Sequence, residues 1–269
     1  MPRYRHWASC MLLATLAACS EQSTEPLTPK PQFIWNGFET GPTLFSNVGA
    51  LMVDFVPAGV TGDDEVCTGS LISETVFLTA AHCVAWLPAG HQVYVTFDDN
   101  LYPAPKPLIA ATAWYYDPAY GHDQADLHDL AVVILPKGAT KGIKPLALPP
   151  AGYLDELAAK GSLSKTMFDN VGYGTGHSQT GKPAFPYDGL RKWSKSEFMA
   201  LQPSWLGLLM NTNATGEGGD CYGDSGGPKF LDSNRNMVVA TVTTGDFVCR
   251  ATTWDYRLDT PSARNFLGK

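Results

Sequence analysis

The apolar residues of this chain fall in short runs, each cut off by glycine, proline or a cluster of Asp, Asn and Ser. Such runs suit strands, because an amphipathic helix must repeat its apolar residues at i, i+3, i+4 and i+7 over several turns. With 26 Gly and 20 Pro spread over 269 residues, long helices find little room between the breakers. Val48 to Val56 reads as a strand closed by Pro57-Ala58-Gly59. Gly69-Ser70-Leu71-Ile72 and Val76-Phe77-Leu78-Thr79 flank the polar turn Ser73-Glu74-Thr75, the pattern of a hairpin. His91 to Phe97 alternates before the turn residues Asp98-Asp99-Asn100. Leu130-Ala131-Val132-Val133-Ile134-Leu135 is continuous, as a strand buried on both faces would be. Further strands are expected at 166–171, 189–193 and 237–243. The helical signals are Tyr153 to Lys160 and the tail, where Thr260 can cap Pro261 to Leu267. The reading is an all-β fold in two halves, 34–150 and 151–269, joined near the proline-rich stretch from Pro145 to Gly152.

What precedes residue 34 reads as an address. Arg3 and Arg5 form a positive start, and Met11-Leu12-Leu13-Ala14-Thr15-Leu16 is an apolar stretch too short to span a bilayer. Leu16-Ala17-Ala18-Cys19 follows, so 1–18 is read as a signal peptide. Leu-Ala-Ala-Cys resembles the bacterial lipobox, in which cleavage before the Cys leaves its sulfur to carry a diacylglycerol. The rival is an ordinary signal with a chance Cys. Residues 19–33 are polar and proline-rich with nothing to pack, which suits a tether behind a lipidated Cys19. The expectation is an exported chain in the cell envelope, on a periplasmic or extracellular face, held to the membrane through Cys19 alone. A net charge of −7 without a long Lys or Arg run excludes nucleic acid as a partner of a basic face. With 44% apolar and 17% charged residues, the chain can fill a core.

Of six Cys, Cys10 lies in the signal and Cys19 at the lipobox. Cys67, Cys83, Cys221 and Cys249 remain, an even number in an exported chain, where disulfides persist. Three pairings are open, and the spacings favour two local bridges over two that cross the chain. No two of the four form a C-x-x-C, which argues against a zinc site.

Three short motifs carry chemistry. Gly219-Asp220-Cys221-Tyr222-Gly223-Asp224-Ser225-Gly226-Gly227-Pro228 places a serine in a glycine-dense loop. Such a backbone can turn successive N–H groups toward one point, where they would stabilise an oxyanion while the serine attacks a carbonyl. Gly-x-Ser-x-Gly also fits the nucleophile elbow of an α/β-hydrolase, but that fold places its histidine after its serine. None of the six His follows Ser225, so the base comes from upstream. Leu78-Thr79-Ala80-Ala81-His82-Cys83 supplies it: His82 follows a strand, among small residues, beside a Cys able to clamp its loop. Leu127-His128-Asp129-Leu130-Ala131 puts Asp129 at the mouth of a buried strand, where a carboxylate can hold the tautomer of a histidine. Asp117, Asp123 and Asp126 are rivals in polar, loop-like sequence, and His91, His122, His128 and His177 lack a comparable context.

Thr79-Ala80-Ala81-His82-Cys83, Asp129-Leu130-Ala131 and Gly223-Asp224-Ser225-Gly226-Gly227-Pro228 together resemble the signatures of chymotrypsin/trypsin-like serine proteases, in that family's order His, Asp, Ser. The resemblance runs from about Ile34 to Leu267 and implies two antiparallel β-barrels with the site in the cleft between them, plus a short C-terminal helix. It implies a serine endopeptidase that cleaves polypeptides through an acyl-enzyme, with His82, Asp129 and Ser225 as triad and the Gly223 and Ser225 N–H groups as oxyanion hole. No metal or organic cofactor is called for. Cys67–Cys83 and Cys221–Cys249 match the family's bridges beside the catalytic histidine and the specificity pocket. Thr243-Thr244-Gly245 takes the place of the strand that pairs with substrate. The alternative is a lipid-anchored binding protein on a protease fold, without turnover.

The sequence departs from the family twice. The usual Ile-Val-Gly-Gly terminus, whose amine pairs with the Asp before the serine, is here Ile34-Trp35-Asn36-Gly37 behind Phe33. Either another protease cuts there, or the loop around Asp224 is held without that amine. At the pocket floor stands Gly219 where trypsins carry Asp, with Asp220 one step along the wall. An uncharged floor with depth below it favours an apolar residue before the scissile bond. Asp220, expected to find water or a backbone N–H of its glycine-rich loop, leaves some tolerance of Arg and Lys.

Overall fold

A computed structural model of the chain describes residues 37–53, 64–103, 107–175 and 187–268. The signal segment, Cys19, the tether, Ile34-Trp35-Asn36 and the stretch expected to continue the strand beyond Val53 lie outside the described residues. Among those described, no helix is long and apolar enough to cross a membrane.

The described residues of the first half form eight strands: β1 (Phe38–Glu39), β2 (Val48–Val53), β3 (Asp64–Ser73), β4 (Val76–Thr79), β5 (Val93–Thr96), β6 (Ile109–Ala110), β7 (Ala113–Tyr116) and β8 (Ala131–Ile134). The expected hairpin is β3–β4, turning at Glu74. Strands β2 to β8 form an antiparallel sheet in the order β6-β5-β2-β3-β4-β8-β7. Its edge strands are consecutive in the chain. Between them, Ala111 N–H donates to Val93 O at 2.9 Å and Thr112 N–H to Ile134 O at 2.8 Å, so the chain itself links the two edges. The curled sheet encloses Leu51, Leu71, Phe77, Val93, Val95 and Val133.

One expectation fails within this sheet. Ala131 and Val133 are buried, but Val132 and Ile134 are only half-buried, so β8 does not have two covered faces. Its second face borders an apolar hollow of about 700 Å³ shared with Leu146, Leu148 and Phe266.

The second sheet contains β9 (Met167–Gly172), β10 (Lys192–Leu201), β11 (Trp205–Leu209), β12 (Pro228–Leu231), β13 (Ala240–Gly245) and β14 (Thr252–Arg257). Their order is β10-β11-β14-β13-β12-β9, and β9 pairs back onto β10, closing a six-stranded barrel. The early β1 adds to this barrel, with Phe38 opposite Trp193, so the start of the 34–150 half serves the other sheet. Among the described residues there are three α-helices: α1 (Tyr153–Ala159), the single turn α2 (Thr212–Thr215) and α3 (Pro261–Phe266). Thr260 caps α3 as expected, its Oγ1 accepting Ala263 N–H at 3.2 Å. Ala263 and Phe266 of α3 join Leu78 and Leu130 from the first barrel and Val171, Phe230 and Tyr256 from the second in one apolar cluster. That shared core fixes the two barrels against each other. The mostly β, two-barrel architecture with a short terminal helix is the one anticipated.

Candidate active site

His82 lies in a single 3₁₀ turn, Ala81–Cys83, that follows β4 directly. Its Nδ1 is 2.8 Å from Asp129 Oδ2, and its backbone N–H donates to Asp129 Oδ1 at 2.9 Å. Both oxygens of one carboxylate therefore fix one residue. Asp129 is fully buried, while the His82 side chain keeps 30% of its surface open. With Nδ1–H donating to Asp129, the basic nitrogen is Nε2.

Ser225 comes from the other barrel, on the loop that leads into β12. Thr68, on β3, joins the two. Its N–H donates to Ser225 O at 2.9 Å, its Oγ1 donates to Gly223 O at 3.0 Å, and its own O accepts the Thr79 hydroxyl at 2.8 Å. Cys83 Sγ lies 3.8 Å from Ser225 O. Gly226, at φ +76°, sits against Ala80 N and Thr68 O, where a β-carbon would have no room. The serine loop is thus pressed onto the turn that carries His82. Gly223 adopts φ +97°, open to glycine alone at low cost. Asp224 N–H and Gly226 N–H are spent on Cys221 O and Val242 O, whereas those of Gly223 and Ser225 meet no acceptor among the described residues.

Asp224 anchors the loop from below. It is fully buried and accepts Gly174 N–H on Oδ1 and Cys221 N–H on Oδ2, both at 2.8 Å. Burial pushes its carboxyl up to about 7, the Asp220 charge adds to the rise, and the two N–H groups and Lys229 oppose it. Cys67–Cys83 and Cys221–Cys249 are bonded, one bridge beside each half of the site. Cys67, Cys83 and His82 place ligand-type atoms within 4.8 Å of one another, but the bond between the sulfurs leaves no thiolate for a metal.

A pocket of about 330 Å³ opens beside Ser225, walled by Tyr222, Val242, the Cys221–Cys249 bridge and Thr243-Thr244-Gly245. Larger hollows of about 510 and 700 Å³, the first beside His91 and Trp114 and the second under α3, touch none of the motif residues. Two expectations about the pocket are corrected. Gly219 does not line it, because Met210 stands where a side chain at 219 would project and fills the depth expected there. Asp220 does line it, but the partner found for it is a side-chain cation rather than a backbone N–H of its loop. Its Oδ2 is paired with the ammonium of Lys229, which rises from β12 and also donates to Asn170 Oδ1 at 2.7 Å. Asp255 Oδ1 is 3.5 Å from the same ammonium. Burial pushes the Asp255 carboxyl up to about 8, with Lys229 opposing and Asp220 adding to the rise. Sequence reading missed Lys229 and Thr68. Thr68 directly follows Cys67 in the first half of a presumed bridge, the one signal that could have drawn attention to it.

Two barrels of this topology, with a His–Asp pair on one and a glycine-held serine on the other, define a chymotrypsin-like protein. Residues 55–264 match the trypsin family model, and the chain belongs to the trypsin family. Chymotrypsin of Phaedon cochleariae is 25% identical over 203 residues, covering 74% of this chain and 70% of that protein. Among solved structures, HL collagenase aligns with TM-score 0.64 at 19% identity, over 87% of this chain and 99% of its own. Human heparin binding protein aligns with TM-score 0.63 at 16% identity, over 87% and 95%.

Proposed function

We propose that this chain is a serine endopeptidase. The observation that carries the reading is Asp129, whose two oxygens orient His82 while Thr68 ties the Ser225 loop to the same sheet. Ser225 Oγ attacks the scissile carbonyl as its proton passes to His82 Nε2. The new O–C bond creates an oxyanion that takes the Gly223 and Ser225 N–H groups. The C–N bond then breaks, His82 returns the proton to the leaving amine, and water releases the acyl group by the same steps. The substrate backbone pairs with Thr243-Thr244-Gly245, and its side chain enters the pocket. Because Lys229 already answers Asp220, that pocket favours an apolar residue, with some tolerance of Arg and Lys. Strict cleavage after Arg or Lys in a peptide library, abolished by Asp220→Asn, would show the opposite.

A fluorophosphonate probe should label the wild type at Ser225, and Ser225→Ala should lose labelling and at least about a thousandfold in peptide hydrolysis while folding normally. Since His82 must be neutral to accept the proton, kcat/KM should climb between about pH 5 and 8. A flat profile would remove His82 from the mechanism. The likeness to heparin binding protein keeps a binding role as the second reading. A net charge of −7 gives little attraction for a polyanion, and failure of the wild type to label would favour some other binding function. We further propose export and anchoring through Cys19, supported by Leu16-Ala17-Ala18-Cys19 and the polar tether. Cys19→Ser should then move the protein from membranes to the soluble fraction.

A further inference from the structure

The loop that delivers Asp129 is braced by groups that the proton transfers above do not use. His128, the residue before Asp129, has φ +55°, the left-handed region that a β-carbon disfavours. Its ring stands between two carboxylates, with Nδ1 2.9 Å from Asp117 Oδ2 and Nε2 3.7 Å from Asp126 Oδ2. Asp117 opens the loop just after β7. Its second oxygen accepts Ala119 N–H at 3.0 Å, and its own N–H donates to Leu130 O at 2.9 Å, directly beyond Asp129. Asp126 reaches the other barrel, where its Oδ1 accepts the Tyr256 hydroxyl of β14, which lies 3.2 Å from Ser262 Oγ on α3. Tyr120 faces the same region, its hydroxyl pushed up by burial and then by the Asp129 charge.

We propose that His128 is a positioning residue, an imidazole clamp that ties the start of the Asp129 loop to the second barrel and so holds Asp129 in register with His82. The inference rests on the protease reading above. Its physical basis is that backbone strain at 128 persists only while its surroundings over-determine it, and the two carboxylates supply that constraint. Without the two ring contacts, residue 128 is no longer held at this one φ. The Asp129 carboxylate then turns with it, and its paired contacts of 2.8 and 2.9 Å with His82 cannot both survive. A displacement of about 1 Å at such a group lowers turnover by up to about a hundredfold.

Two variants of the full chain test the clamp. His128→Gly removes both ring contacts and leaves residue 128 free to sample many φ values, so nothing holds Asp129 in one place. His128→Asn tolerates the left-handed backbone and keeps an amide donor for Asp117. For His128→Gly, kcat should fall roughly ten- to a hundredfold with KM within about twofold of wild type. The acid limb of kcat/KM should move to lower pH, because the imidazolium loses part of its carboxylate partner. The downfield proton resonance of the His82 Nδ1–H bonded to Asp129 should weaken in the same variant. His128→Asn should restore most of all three. A glycine variant with wild-type kcat, acid limb and Nδ1 resonance overturns the clamp, and so does an asparagine variant no better than glycine. If the wild type takes no fluorophosphonate and cleaves nothing, the protease reading falls. The Nδ1 resonance, compared between wild type and His128→Gly, still decides the clamp.

Discussion

Lys229 carries its ammonium to a fully buried position, paired with Asp220 of the pocket beside Ser225. An unpaired charge there would be costly, and Asp220, Asn170 and Asp255 are what make the position tolerable. Replacing one member of such a pair leaves the other stranded. Lys229→Met should therefore lower stability by about 3–5 kcal/mol in urea unfolding, and adding Asp220→Asn should recover most of the loss. A double variant as unstable as the two single effects combined would mean that the pair does not interact. None of this was legible from the sequence. In Pro228-Lys229-Phe230-Leu231 all four residues are buried, so no alternation marks the lysine as inward-facing. His82, Asp129 and Ser225 were legible because each stands in a motif whose neighbours are small or glycine, chosen by backbone geometry rather than by distant partners. Asp117 and His128 read as loop polars, since the contact between them depends on a turn that neither residue announces.

At the level of elements, strands with one covered face were the easiest to foresee, and those holding buried charges the hardest. The β3–β4 hairpin and the Thr260-capped helix follow local rules that sequence displays directly. β14 was not foreseen, because Asp255 and Arg257 interrupt its apolar pattern, yet both are buried and paired, Arg257 with Asp259 at 2.9 Å and with Asp155 at 2.8 Å. β7 is half open to solvent and likewise carried no clear signal. The bridge that joins β3 to the His82 turn closes a loop of 16 residues. Replacing Cys67 and Cys83 together by Ala should lower stability by about 3 kcal/mol on the loop-entropy account. The same change should reduce kcat more than it raises KM, because the turn it frees carries His82 rather than the pocket. An unchanged urea midpoint would show that the shared core, and not the bridge, fixes that turn.

Across the whole molecule, the family resemblance carried by the three motifs implied two barrels, but it did not reveal the acidic core that the second barrel builds. Asp224 and Asp255 are both fully buried and their carboxyls are raised from 3.8, to about 7 and about 8. A carboxyl raised on folding binds its proton more tightly in the native state than in the unfolded chain. Its contribution to stability is complete below about pH 4 and is lost as pH rises through the folded-state value. From these two groups, the protein should lose stability between about pH 5 and 9. The clean measurement is a difference. Asp255→Asn keeps the shape of the neutral acid and can still meet Thr253, but it has no proton to lose. Its thermal midpoint should lie close to wild type near pH 5 and exceed it increasingly toward pH 9, because only the wild type must then bury a second carboxylate beside Asp220. Two profiles that run parallel across this range would mean that Asp255 keeps one protonation state throughout, and the alkaline loss would then have to be sought at Asp224.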